Sequence, residues 1–268
     1  MPEARKAVIL ARGLGTRMRR ADPDTRLDAA QAEVAGLGVK AMIPIGRPFL
    51  DYVLSGLADA GYSEACLVIG PEHGLVQEHY ARIAPPSRIR VEFAVQQEPK
   101  GTADAVLAAE SFVAGESFLV MNSDNYYPVE ALRALRLLDD PGLAAFAIRG
   151  LVREGGIPEE RVRRWAALRF DADGWLRSVE EAGDATQPDT AYVSVNCWRF
   201  SPAIFQACRA IQPSPRGELE LPVAVHYAAN VLGERFKVLT FEGAVLDLST
   251  RADVARVAAG LRDTTVRL

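Results

Sequence analysis

The chain has 268 residues, with 31 Lys and Arg against 35 Asp and Glu for a formal charge of −4, and it is 49 % apolar and 25 % charged. That balance excludes a disordered or low-complexity chain and leaves enough apolar surface for a sizeable core in one large domain or two small ones. It also excludes the concentrated basic face that nucleic acid or an anionic membrane requires, and no apolar run approaches the roughly 20 residues of a membrane span.

The short apolar run at 7–10, feeding closely spaced glycines, reads as a buried parallel strand. Over 49–60, Leu50, Val53, Leu54, Leu57 and Ala58 recur at helical spacing, and Gly61 stops the helix. A second strand follows at 65–69, then a polar helix at about 74–83 broken by Pro85 and Pro86. A third strand is expected at 91–95, a helix at 101–113 and a fourth strand at 118–121. A helix at 128–138 has Pro128 in its first turn, and a fifth strand spans 143–148. This βαβαβ rhythm predicts an α/β domain with a mostly parallel sheet.

Beyond about residue 150 the texture changes. Alternation over 167–170 and 175–180 around Asp171-Ala172-Asp173-Gly174 predicts a hairpin. Further strands are expected at 192–200, 236–241 and 245–248. A last helix has Val254, Val257, Ala258 and Leu261 on its inner face, with Thr250 as N-cap and Asp253 three residues on. The late strands read as partly antiparallel additions to the parallel core. With no linker and no repeat, the expectation is one domain over 1–268, a three-layer α/β/α sandwich around a mixed, mostly parallel sheet. Cys66, Cys197 and Cys208 are odd in number and lack metal-ligand spacing, so they read as reduced thiols. With no secretory leader at the N-terminus, this predicts a cytoplasmic protein.

The most informative segment is Leu10-Ala11-Arg12-Gly13-Leu14-Gly15-Thr16-Arg17-Met18. A strand running into glycines is where α/β folds hold phosphates, because glycine lets the backbone approach the ligand and aim its N–H groups at oxygen anions. Met18 stands where a dinucleotide fingerprint needs its third glycine, and no Walker loop is present. The bland reading is a tight turn after a strand. Arg17 favours a phosphate site, since its guanidinium fork suits phosphate oxygens.

Gly13 to Met18 resembles the signature of sugar-1-phosphate nucleotidyltransferases, Gly-x-Gly-Thr-Arg-Leu/Met. Lys40-Ala41-Met42-Ile43-Pro44-Ile45 is similar to the Lys and Leu-x-Pro-Ile/Val segment that follows it in that family. Gln96-Gln97-Glu98-Pro99-Lys100-Gly101-Thr102-Ala103 resembles Gln-x-x-Pro-x-Gly-Thr-Ala, and Asn122-Ser123-Asp124-Asn125 stands where the family has Gly-Asp. Val195-Asn196 resembles part of the acceptor-binding region, and Asp247-Leu248-Ser249-Thr250 resembles Asp-Ile-Gly-Thr. The matches run in order over nearly the whole chain.

The resemblance implies a Rossmann-like fold with a nucleotide-binding half over about 1–150, a sugar-binding extension over about 151–250 and a C-terminal helix over 251–268. It implies transfer of a nucleotidyl group from a nucleoside triphosphate to a sugar 1-phosphate, with release of pyrophosphate. Leu10, Ala11, Gly13, Gly15, Thr16, Gln96, Gly101 and Thr102 would face the nucleotide, with Gln96 on the base edge and Gly101 backing the nucleoside. Arg17, Lys40 and Asp124 would be catalytic, the two cations meeting the pyrophosphate side. Asp124 and Asp247 would hold Mg2+, which takes one or two carboxylates plus phosphates and water. The competing readings are an Asx turn for Asp124 and an N-cap-like role for Asp247. Asn196 and Glu180 or Glu181, whose register is ambiguous, would bind sugar hydroxyls, unless the glutamates are ordinary hairpin carboxylates.

The chain also departs from the pattern. Arg12 replaces a small residue, where it could crowd the base or add a phosphate contact. The 23 positions from Arg17 to Lys40 are about twice the family's span, and the insertion at 22–38 reads as a short helix or a lid. A Lys that often follows the sugar-binding Glu is missing, and Pro222 replaces a Thr. These departures leave two alternatives open: a catalytically weak sugar-nucleotide-binding regulatory subunit, or a transferase for a non-sugar phosphate. The implied partners are a nucleoside triphosphate and a sugar 1-phosphate, without nucleic acid or membrane; a homo-oligomer is compatible with the sequence.

Overall fold

In the computed structural model, which describes residues 3–180 and 191–268, the first apolar run forms strand β1 (Lys6–Leu10). Parallel to it lie β2 (Glu64–Ile69) with β3 (Arg90–Val95) beyond on one side, and β4 (Phe118–Asn122) on the other. A two-residue strand, β5 (Asn125–Tyr126), follows, then β6 (Gly142–Ala147), the hairpin β7 (Ala167–Phe170) and β8 (Leu176–Glu180), β9 (Tyr192–Phe200), β10 (Lys237–Phe241) and β11 (Leu246–Asp247). The main path runs β10-β6-β9-β4-β1-β2-β3, and β11 pairs separately with β5.

The helices fall between the strands: α1 (Thr16–Arg19), α2 (Ala29–Leu37), α3 (Phe49–Ala60), α4 (Gly74–Glu78), α5 (Thr102–Ala108), α6 (Glu110–Val113) and α7 (Val129–Leu137). The second half adds α8 (Ile148–Arg153), α9 (Glu159–Val162), α10 (Ala203–Ala210), α11 (Leu221–Asn230) and α12 (Asp253–Leu261).

The sheet is apolar on both faces because both are covered. Ala7 and Ile9 of β1 pack with Leu50, Val53, Leu54 and Leu57 of α3, while Val8 packs with Ala103 and Val106 of α5 and with α10 and α11. That is why the central strands read as continuous apolar runs rather than alternating ones. Each fully buried aliphatic side chain contributes about 1.5–3 kcal/mol. The expected three-layer α/β architecture and mostly parallel sheet are borne out.

The late strands are partly antiparallel, as expected, and β9 is inserted between β4 and β6, antiparallel to both; alternation along a strand reports which side chains are buried, not which neighbours it pairs with. Two expectations change. The helix expected at 101–113 breaks at Ala109 into α5 and α6. Thr250 does not cap α12; its N–H and its hydroxyl both donate to the Asp253 carboxylate, at 2.7 and 2.9 Å.

The insertion at 22–38 holds α2. The Asp28 side chain accepts from the Gln31 N–H at 2.8 Å, and the Gln31 side chain accepts from the Asp28 N–H at 3.2 Å, a reciprocal cap. Asp28→Ala is expected to destabilise the protein by about 1 kcal/mol, read by chemical denaturation. Cys66, Cys197 and Cys208 are free and buried, and burial pushes the Cys66 and Cys208 thiols up to about 12. Among the described residues no helix is long and apolar enough to cross a membrane.

Candidate active site

From β1 the chain order runs outward to β2 and β3, then returns to β4 on β1's other flank. The carboxyl ends of β1 and β4 therefore form a topological switch point, the place where open α/β sheets bind ligands. A cleft of about 420 Å³ opens there. Leu10, Ala11, Gly13, Gly15, Thr16, Arg17, Lys40, Gln96, Gly101, Thr102 and Asp124 all line it, so the fold gathers residues from four separate stretches of sequence.

The glycine loop is held from outside. Gly15 has φ +62°, and a Cβ there would lie 2.1 Å from the Gly38 carbonyl oxygen. Gly38 ends α2 with φ +77°, its N–H bonded to the Val34 and Ala35 carbonyls at 3.1 Å. Gly13 differs: no atom lies within 4 Å of a Cβ built on it, and it faces open space. Beyond Gly38 a 3₁₀ turn over Lys40–Met42 brings the Lys40 ammonium onto Asp124 Oδ2. Among the described residues the other Asp124 oxygen has no protein partner. Arg17 donates to Ser249 Oγ at 3.4 Å.

Gln96 and Gly101 sit on the opposite wall. Both Gln96 amide hydrogens are used, one on the Gly101 carbonyl at 3.0 Å and one on Asp104 Oδ2 at 2.8 Å. Two acceptors fix the amide orientation, so Oε1 is the atom left for a ligand. The glycine at 101 (φ +109°) serves the fold: a Cβ would meet the Leu219 carbonyl oxygen at 2.5 Å. Thr102 Oγ1 accepts from the Leu221 N–H at 2.9 Å, at the start of α11, where Pro222 fits the first turn. Arg12 also lines the cleft. Its Nη2 donates to the Gln97 carbonyl at 3.2 Å and its Nε to Glu72 at 3.4 Å, strapping the glycine loop to the Gln96 wall.

The remaining candidates stand apart from the cleft lining. Asn196, at φ +55° in a bulged part of β9, donates to Asn122 Oδ1 at 2.7 Å. Asn122 donates to Asn125 Oδ1 at 3.2 Å, and Asn125 to Asp247 Oδ1 at 3.0 Å. Asn196 thus supports Asn122, which does line the cleft. Glu180 is paired with Arg169 at 2.7 Å and accepts from Ser178 at 2.9 Å on the hairpin; these contacts, Ser178 first, hold its carboxyl below the usual range. Glu181 lies outside the described residues.

Asp247 is 5 % exposed and just behind the cleft. Its Oδ1 also accepts from Ser249 Oγ at 3.0 Å, and its Oδ2 is held by Arg161 of α9. Arg161 escaped the sequence reading because it belongs to no motif, and nothing local marks an arginine on a four-residue helix as the partner of a carboxylate 86 positions away.

The model of the nucleotidyl transferase family matches residues 6–239. The chain belongs to the nucleotidyl transferase family. The resemblance read from the sequence is thereby borne out. The chain is similar to the UTP–glucose-1-phosphate uridylyltransferase AglF of Haloferax volcanii, 27 % identical over 264 residues and covering 98 % of each chain. It is also similar to a glucose-1-phosphate thymidylyltransferase of Streptomyces antibioticus, 29 % identical over 252 residues, covering 94 % of this chain and 65 % of that one. Among solved structures, a UDP-glucose pyrophosphorylase complexed with UDP-glucose has the same fold, with a TM-score of 0.75 at 17 % identity over 98 % of this chain and 100 % of the other.

For a member of this family the question of a divalent cation turns on the carboxylates. Among the described residues no group of three or more His, Cys, Asp or Glu is placed to hold a metal ion by itself. Asp124, with one oxygen open in the cleft, fits the Mg2+ pattern of few carboxylates completed by phosphate and water.

Proposed function

We propose that the protein transfers a nucleotidyl group from a nucleoside triphosphate to a sugar 1-phosphate, forming a nucleoside-diphosphate sugar and pyrophosphate. The observation that carries this reading is the meeting of the glycine loop, Arg17, Lys40 and Asp124 at one switch point. A phosphate oxygen of the sugar attacks the α-phosphorus in line, and pyrophosphate leaves. That chemistry asks the protein for positioning and charge neutralisation more than for covalent help. The glycine loop offers backbone N–H groups to the triphosphate. Arg17 and Lys40 oppose its charge, and Lys40 can swing from Asp124 toward phosphate because an ammonium on a flexible stem is a mobile point charge. Mg2+, held through Asp124, would supply further neutralisation and alignment of the phosphates.

Gln96 sharpens the choice of base. With Oε1 as its free atom, it accepts from a ring N–H, which uracil, thymine and guanine present and cytosine and adenine lack at that edge. The relatives' names make UTP and dTTP with glucose 1-phosphate the first substrates to test. Pyrophosphate release measured across UTP, dTTP, GTP, CTP and ATP is expected to favour the first three by at least about tenfold in kcat/KM, the cost of leaving the Gln96 oxygen unpaired or repelled. Binding of a nucleotide sugar without turnover for any pair would overturn the enzymatic reading.

A further inference from the structure

Asp247 and Asp124 both end near the cleft, but their surroundings differ in kind. Asp124 meets one cation, Lys40, and both side chains are partly open. Every oxygen of Asp247 is engaged: Oδ1 accepts from Asn125 and Ser249, each at 3.0 Å, and Oδ2 is held by Arg161. Arg161 is in turn anchored by Asp253, with both its Nη atoms 2.9–3.0 Å from that carboxylate. Arg256 binds Asp253 Oδ1 at 2.7 Å and the Asp247 carbonyl at 2.7 Å, and the Ser249 and Thr250 N–H groups donate to Asp253 Oδ2 at 3.1 and 2.7 Å. Two carboxylates and two guanidiniums thus form a charge-balanced, largely buried quartet.

A buried, hydrogen-bonded quartet of this kind resists exchange, because removing one member leaves an uncompensated charge away from water. A guanidinium held by two carboxylates cannot swing aside as a lysine can. We propose that Arg161 is the resident counter-ion of Asp247 and keeps that carboxylate out of divalent-metal coordination, leaving Asp124 as the carboxylate through which the protein holds the metal. This rests on the metal-dependent reading above. Asp247 is then a positioning residue: it holds the Ser249 hydroxyl, which in turn meets Arg17 at 3.4 Å.

The test titrates Mn2+ into protein saturated with the α,β-methylene analogue of UTP or dTTP, reading free Mn2+ by electron paramagnetic resonance. The isosteric variants Asp124→Asn and Asp247→Asn are compared after a thermal melt confirms folding. The expected result is an affinity loss of at least about tenfold for Asp124→Asn and a change within about twofold for Asp247→Asn. A tenfold loss in Asp247→Asn overturns the inference and leaves the metal reading standing. No loss in either variant overturns both. Arg161→Gln supplies a second measurement: freeing Asp247 is expected to tighten Mn2+ binding several-fold, and unchanged or weaker binding in a folded variant overturns the inference.

Discussion

Asp124→Asn will slow pyrophosphate release by about 10²–10³-fold while the protein melts within a few degrees of the wild type. The loss follows from its position: it meets Lys40, keeps one oxygen open, and lines the cleft in which the proposed reaction brings triphosphate and acceptor phosphate together. Removing one charged group aimed at developing charge in a preorganised site costs about 3–4 kcal/mol of transition-state stabilisation. Stability is largely spared because the isosteric amide keeps the side chain's shape and an oxygen acceptor for the Lys40 ammonium. Steady-state kinetics with a calorimetric melt decides it, and activity retained within tenfold would remove Asp124 from the reaction.

Gly15→Ala is expected to damage both stability and activity. Its φ of +62° costs an alanine about 1–2 kcal/mol, and the new methyl would stand 2.1 Å from the Gly38 carbonyl oxygen. Backbone meets backbone there, so no side-chain rotation relieves it. The glycine loop and the C-terminus of α2 must part, shifting Arg17 on α1 and Lys40 just beyond Gly38 together. The expected loss is about 2–4 kcal/mol of stability and at least about 10² in kcat/KM, since small displacements of positioning groups are costly in phosphoryl chemistry. Gly13→Ala is the control: with no atom within 4 Å of the added carbon, it should melt like the wild type, so any activity it loses reports contact with the nucleotide. Equal melting temperatures for the two variants would contradict this account of the loop.

The most legible parts of the chain were those where local sequence and tertiary demand agree. The helix at 49–60 is found with those bounds, ended by Gly61 at φ +98°, because its apolar spacing, its length and its stop signal all lie within one window. The glycine loop, Lys40, Gln96 and Asp124 were legible as motifs, and the switch-point topology brings them to one cleft. The sugar-side candidates were less legible. Glu180 obeys hairpin pairing with Arg169, and Asn196 supports Asn122 from a bulge, since a motif match cannot say which way a strand-end side chain turns.

Sequence by itself determined the α/β class, the order of most elements, the glycine loop after the first strand and the family, because each depends on residue types at short, regular spacing. Only the tertiary structure decided the rest. It inserted β9 between β4 and β6, set the glycine at 101 against the Leu219 backbone, committed the Gln96 amide nitrogen to Gly101 and Asp104, and enclosed Asp247 with Arg161, Asp253 and Arg256. Each of these depends on pairings between residues far apart in the chain, and such pairings are set by the packing of whole elements rather than by any local pattern of side chains.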